Sequence, residues 1–235
     1  MIHSALRAQL SLFLSACCLF LAPAHSTLLA EETTPATSAP SKRLKIMTYN
    51  IHHGRGMDEK IDLHRIADVI RKEKPDLVAL QEVDDATRRS GNVKQTEELG
   101  KLTGMKAHFF RQIDFEGGEY GQAVLSKYPI SEPQIHWLPG EPERERRIAA
   151  TAIISIDGKP LRFGSTHLHH ANEQFRLAQS QTLTKLFSDT DSIPTIIAGD
   201  YNANPDSMPI QQMGEHWFSV TPLFSQNSPP PHPFA

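Results

Sequence analysis

The sequence predicts an α+β domain, rich in strands and poor in helices. Three observations carry this expectation. Short apolar runs of strand character recur between residues 44 and 198. Only three segments show helical spacing, and polar residues of ligand type stand where several apolar runs end. Composition agrees with a globular chain: 235 residues, 39% hydrophobic and 22% charged.

The elements follow in order. Residues 44–50 alternate as a strand. Asp62 is placed to cap a helix whose apolar face is Leu63, Ile66, Ala67 and Ile70, and Pro75 stops it. Residues 77–81 form a short apolar run typical of a buried strand, delivering Glu82 at its end. A second helix covers 95–102 and ends at Gly104. Strands are expected at 107–112, 122–126, 135–138, 148–156 and 161–166, with Asp157-Gly158 as a hairpin turn. A third helix spans 172–187, and a buried strand at 193–198 ends in Gly199-Asp200. Catalytic groups collect on loops at strand ends, which draws attention to Asn50, Glu82, His167, Asp200 and Asn202.

The net charge of −3 shows no electrostatic footprint for tight non-specific nucleic-acid binding, which argues against a coat or packaging protein. The only cysteines, Cys17 and Cys18, lie in the first apolar stretch, so thiol catalysis, a disulfide framework and a cysteine zinc site are not expected. Arg7, an apolar run over 8–24 and small residues at Ala22-Pro-Ala24 and Leu29-Ala30 resemble a secretory signal over 1–30. A retained membrane anchor and a lipoprotein box at Leu14-Ser-Ala-Cys17 are the alternatives. Residues 31–43 have linker composition, and the folded domain is expected over 44–235.

Five segments, in this order and spacing, resemble the endonuclease/exonuclease/phosphatase superfamily of DNase I-like metal-dependent phosphohydrolases. They are Thr48-Tyr-Asn-Ile51, Leu80-Gln-Glu-Val83, Ala123-Val-Leu-Ser-Lys-Tyr-Pro-Ile130, Ser165-Thr-His-Leu168 and Gly199-Asp-Tyr-Asn-Ala203 with Asn204-Pro205. The resemblance implies a four-layer fold of two packed mixed β-sheets flanked by helices. It also implies Mg²⁺, with Mn²⁺ as a substitute, because a hard cation held by oxygen ligands neutralises an anionic phosphate ester.

On that resemblance Glu82 and Asn50 are the metal ligands, Asn50 through its amide oxygen. Asp200 activates the attacking water, and Asn202 donates to a non-bridging phosphate oxygen. His167, when protonated, serves the leaving oxygen or binds phosphate. Tyr120, in Gly117-Gly-Glu-Tyr-Gly121, is a further phosphate contact. A zinc site on His167, His169 and His170 is an alternative. His52 and His53 either face the same cleft or lie on the surface. Arg144, Arg146 and Arg147, beside Glu141, Glu143 and Glu145, read as a self-compensating solvated loop rather than a substrate-steering patch.

The family's domain normally continues past the fifth segment to a strand led by Asp-His. No aspartate follows Asp206, and the only later histidine besides His216, His232, lies between prolines. The last strands are therefore expected to be missing, with the chain a truncated phosphohydrolase of impaired activity. The expected function is an exported, monomeric Mg²⁺-dependent phosphoesterase without an obligate protein partner. Its substrate would be nucleic acid, a phosphosugar or a phospholipid headgroup. A non-catalytic binding module and a GPI-lipid-remodelling-like hydrolase are the alternatives.

Overall fold

The computed structural model describes residues 43–140, 145–187 and 193–220. The expected signal over 1–30, nearly all of the expected linker, Arg144, and the proline-rich end with His232 lie outside the described residues. No helix among the described residues is long and apolar enough to cross a membrane.

Two four-stranded sheets lie face to face. The first has the order β1-β2-β4-β3, built from β1 (Ile46–Asn50), β2 (Leu77–Asp85), β3 (Lys106–Phe115) and β4 (Gly118–Ser126). The second has the order β5-β6-β7-β8, built from β5 (Ile130–Trp137), β6 (Ile148–Ile156), β7 (Lys159–His167) and β8 (Thr195–Asp200). Each sheet is antiparallel except for one parallel pair, β1 with β2 and β7 with β8. Each parallel pair needs a crossover, and a helix supplies it. α1 (Leu63–Glu73) joins β1 to β2, and α3 (Glu173–Phe187) joins β7 to β8.

The expected N-cap forms: the Asp62 carboxylate accepts from the backbone N–H groups of His64 and Arg65. Lys74, in the left-handed region at φ 52°, ends α1 ahead of Pro75. α2 (Gln95–Thr103) ends at Gly104, also left-handed at φ 71°, where glycine carries no Cβ penalty. Asp157 and Gly158, both at positive φ, make the expected β6–β7 hairpin turn.

Three apolar clusters bind the layers. Leu77, Ala79, Phe110 and Val124 of the first sheet meet Ile148, Ala150, Ile154 and Phe163 of the second. α1 and α2 cover the outer face of the first sheet through Ile66, Ala67, Ile70 and Leu99 on Val78, Leu80 and Leu125. The second sheet's outer face is covered by Leu183 of α3 and Met213 of α4 (Met208–Met213) on Ala149, with Leu168 and Leu138. Each fully buried large side chain here contributes about 1.5–3 kcal/mol. The result is the four-layer α/β sandwich that the resemblance implies.

Several elements differ from expectation. β2 does not stop at Gln81 but runs on to Asp85, so Glu82 lies within the strand, in a bulge between Leu80 and Val83. β5 starts at Ile130, five residues early, and contains Pro133. Proline is tolerated there because β5 is an edge strand with its own register shift between Ser131 and Gln134. β8 was expected to be buried, yet all six of its residues are half-exposed, since among the described residues it pairs only with β7. The six-residue α4 and a 3-10 turn at His52–Gly54 were not anticipated.

Candidate active site

Parallel strands point their carboxyl ends the same way. Asn50 is the last residue of β1 and pairs in register with Gln81, next to Glu82. His167 and Asp200 are the last residues of β7 and β8 and are register partners. The two parallel pairs thus deliver their terminal polar residues to one end of the sandwich.

Asn50 ties these ends together. Its Nδ2 donates to Glu82 Oε1 at 2.7 Å and to Asp200 Oδ2 at 3.2 Å, so one amide joins carboxylates from two different sheets. Its Oδ1 accepts from the backbone N–H of His52 at 3.1 Å. Two carboxylates demand the nitrogen and a backbone N–H demands the oxygen, so the amide orientation is set by its partners. The oxygen expected to face a cation or its water shell accepts one hydrogen bond and keeps a second lone pair, while the nitrogen donates to both acids and positions them.

Glu82 owes its position to the bulge, where it adopts φ 57°. Beneath it runs a polar chain, buried from Gln81 onward. Thr48 Oγ1 donates to Gln81 Oε1 (3.2 Å), and Gln81 Nε2 to Ser165 Oγ (2.9 Å). Ser165 Oγ donates to Gln122 Oε1 (2.7 Å), and Gln122 Nε2 donates to the carbonyl of Ile148 (3.3 Å). This chain crosses between the sheets three times, from β2 to β7, back to β4 and over again to β6. It also explains two segments of the sequence pattern: Gln81 and Ser165 are there to be hydrogen-bonded, not to react.

Asp200 follows Gly199, where an added Cβ would sit 2.1 Å from the Thr166 carbonyl oxygen, so only glycine lets β8 lie this close to β7. Asp200 Oδ1 accepts from Asn202 N at 3.0 Å, forming the expected Asx turn, and Asn202 Nδ2 donates to the Leu168 carbonyl at 3.0 Å. An amide has two N–H donors, so this contact leaves Asn202 able to make a second one. His167 Nε2 lies 3.8 Å from Asp200 Oδ2.

His167 is 6% exposed, and burial, reinforced by the Arg147 charge, pushes its pKa down to about 4 despite Asp200 and Glu82. That direction favours the neutral imidazole over the protonated one that the resemblance implies. Burial likewise pushes His53 down to about 4, with Arg89 and His52 adding to the effect. A histidine held neutral in the fold loses ground once the unfolded chain protonates. Stability from these two residues is complete above about pH 6.5 and falls as pH drops from there toward about 4, by up to about 1.4 kcal/mol per pH unit for each. In chelator, the melting temperature is expected to fall steeply over this interval, and His167→Asn to reduce the slope by about one proton's worth. A flat profile would contradict this assignment.

A cleft of about 280 Å³ is lined by Glu82, His167, Asp200 and Asn202, with Tyr120, Glu145, Arg147 and His170 completing it. Tyr120 therefore reaches the cleft, its hydroxyl pKa raised by burial and by Glu145 and Glu82. Arg147 is the residue that sequence reasoning misplaced. It is 4% exposed, and its Nη1 lies 3.1 Å from Glu145 Oε1 without hydrogen-bond alignment. Among the described residues, its Nε and Nη1 have no hydrogen-bond partner. Arg146 instead stacks over Trp137 at 3.7 Å. The available signal was position: Arg147 directly precedes the fully buried start of β6.

The alternative zinc site does not assemble. His169 Nδ1 accepts from the backbone N–H of Ala171 and Asn172, which caps the turn into α3, and His170 stacks on it. The one histidine and carboxylate group of metal-holding geometry among the described residues is His52, His53 and Glu82.

The family model described as Endonuclease/Exonuclease/phosphatase family matches residues 47–234. The chain belongs to the endonuclease/exonuclease/phosphatase family. This family includes phosphatases and nucleases, is generally hydrolytic on phosphate esters, and is typically dependent on a divalent metal. The chain is 27% identical over 168 residues to the uncharacterized protein YbhP of Escherichia coli, covering 67% of this chain and 66% of YbhP, just under two thirds of that relative. An endonuclease/exonuclease/phosphatase from Beutenbergia cavernae is 25% identical with a TM-score of 0.58, over 72% of this chain and 50% of that one. A mannosyl-6-phosphatase, Bt3783 of Bacteroides thetaiotaomicron, shares the fold at 17% identity and a TM-score of 0.60, over 74% and 70% of the two chains. The human Nocturnin catalytic domain shares it at 21% and 0.55, over 72% and 67%.

Proposed function

We propose that the chain is a Mg²⁺-dependent phosphoesterase, hydrolysing a phosphodiester or phosphomonoester by in-line attack of water. The observation that supports this most is the Asn50 amide joining Glu82 and Asp200 in one cleft. A hard cation suits the donor set, because both acids open onto that cleft with carboxylate oxygens. When bound, Mg²⁺ (or Mn²⁺) neutralises phosphate charge and polarises the ester, with Glu82 as the residue that would hold it.

The chain's own groups do the rest. Asp200, positioned by Asn50 and Asn202, takes the proton of the attacking water. Asn202 donates to a non-bridging oxygen as charge builds there. The Arg147 guanidinium, ion-paired with Glu145 but with Nε and Nη1 lacking a hydrogen-bond partner among the described residues, meets the phosphate as a charged donor. His167 orients the ester as a neutral hydrogen-bonding group. The composition of residues 1–30 supports an exported form.

The test uses the full chain with bis-p-nitrophenyl phosphate and p-nitrophenyl phosphate, then DNA, a hexose 6-phosphate and a phospholipid headgroup ester. Turnover is expected with Mg²⁺ or Mn²⁺, and is expected to vanish with EDTA and in Glu82→Gln. A folded protein that binds phosphate esters but turns over none would overturn the hydrolase reading in favour of a binding module.

A further inference from the structure

A second cleft, of about 220 Å³, shares Glu82, Tyr120 and Glu145 with the first and is lined further by His52, His53 and Arg89. The hydrolase reading makes no use of the two histidines. On an extended strand, consecutive side chains point to opposite faces. Here His52 and His53 both adopt left-handed backbone, φ 47° and 44°, and their ring centroids lie 4.5 Å apart. Two adjacent non-glycine residues in this region are uncommon, and such outliers cluster at functional sites. Gln95, fully buried, holds the turn in place. Its Nε2 donates to the His53 carbonyl at 2.7 Å, while its Oε1 accepts from Asp84 N at 3.0 Å.

The turn brings ligand atoms of His52, His53 and Glu82 within 4.8 Å of one another. His53 is only 6% exposed, and its Nδ1 is buried without a hydrogen-bond partner among the described residues. That ring thus has no polar contact at Nδ1 to surrender on binding a ligand. Leaving such an atom unpaired carries a desolvation cost, so its retention asks for a reason.

We propose that His52, His53 and Glu82 form a transition-metal site, taking Zn²⁺ or a cation of like preference, beside the oxygen-only position at the Asn50 side of Glu82. Two imidazoles and one carboxylate are the donors that borderline cations prefer and that Mg²⁺ does not. Three protein ligands leave a fourth position open, as in sites where a metal meets water or substrate rather than serving as a closed structural staple. The open side faces the second cleft, walled by Arg89, Phe115 and Tyr120. The site shares Glu82 with the hydrolase reading but stands or falls on metal binding, not on turnover.

The full chain, stripped with EDTA and dialysed, is titrated with ZnCl₂ by calorimetry in millimolar Mg²⁺. One equivalent of Zn²⁺ is expected to bind. Affinity is expected to drop at least about ten-fold in His52→Gln and in His53→Gln, and to be unchanged in His170→Gln. Circular dichroism checks folding; should His53→Gln unfold, the exposed His52 decides, because its side chain supports no core. Equal affinity in parent and His52→Gln overturns the proposal, as does loss of binding in His170→Gln in its place, or failure of Zn²⁺ to bind in Mg²⁺. His52-dependent Zn²⁺ binding without any ester hydrolysis would sink the hydrolase reading alone. Mg²⁺-dependent hydrolysis without His52-dependent Zn²⁺ binding would sink this one alone.

Discussion

Asp200→Asn is expected to lower turnover about 10³-fold while leaving the protein folded, the range for removing a positioned general base. The substitution keeps an oxygen for the Asn202 N–H but can place an amide nitrogen against the Asn50 Nδ2 that now donates to Oδ2. Two donors then face each other, so the Asn50 amide no longer steadies both acids. Because Asp200 is partly exposed, water relieves much of the mismatch, and the melting temperature is expected to move by only a few degrees. The loss should fall on kcat more than on KM, since the proton is taken only as the reaction proceeds. Activity within ten-fold of the parent would remove Asp200 from the chemistry.

The largest stability effect is expected at Arg89. Asp84 is completely buried, and Arg89 grips it through Nε–Oδ2 at 2.9 Å and Nη2–Oδ1 at 2.7 Å, with the Thr87 hydroxyl donating to Oδ2 at 2.6 Å. Burial alone would raise the Asp84 pKa, but Arg89 and the Thr87 and Ser90 hydroxyls outweigh it and hold the carboxyl below its usual range. Arg89→Ala leaves that carboxylate buried and unpaired, at a cost of about 3–5 kcal/mol, or roughly 10 °C in melting temperature for a chain of this size. In the parent, the Asp84 contribution is present above the unfolded carboxylate pKa of about 4 and is lost as pH falls through the lower folded value. The variant has no such contribution to lose and gains by protonating Asp84, so the gap between the two proteins should narrow toward pH 4. A difference below about 1 kcal/mol at pH 7 would show the pair to be dispensable. Arg89 also lies 4.5 Å over the Phe115 ring and 5.5 Å from that of Tyr120, so its removal should loosen the wall of the second cleft.

Asn50, Glu82, His167, Asp200 and Asn202 were legible in the sequence because each is a polar residue at or near the end of an apolar run, and parallel strands deliver such ends to one place. What they do there was less legible. Which end of the Asn50 amide faces the acids depends on the His52 N–H, and the charge of His167 depends on burial and on Arg147. The Glu82 bulge is a one-residue slip with no mark in composition. Arg147 stands beside Arg146 with the same chemistry, and only the packing of β6 buries one and stacks the other on Trp137. The sequence leaves His52 and His53 open between cleft and surface, and the left-handed turn is what gathers their rings. The strand at 148–156 and the Asp157-Gly158 turn are legible because a β-branched apolar run and positive-φ turn residues are local properties, whereas the start of edge strand β5 is not, because its exposed residues carry no apolar pattern.

The polar chain from Thr48 through Gln81, Ser165 and Gln122 to the Ile148 carbonyl passes between the sheets directly behind the cleft. Apolar faces are forgiving: one sheet can slide on another by a fraction of a residue with little change in buried area. Directional bonds are not, because each loses its geometry within a few tenths of an ångström. The chain therefore behaves as a dowel between two otherwise greasy plates, indexing the half of the site that carries Glu82 against the half that carries Asp200. Substitutions that merely soften it should leave a folded protein whose two acids no longer keep a constant separation.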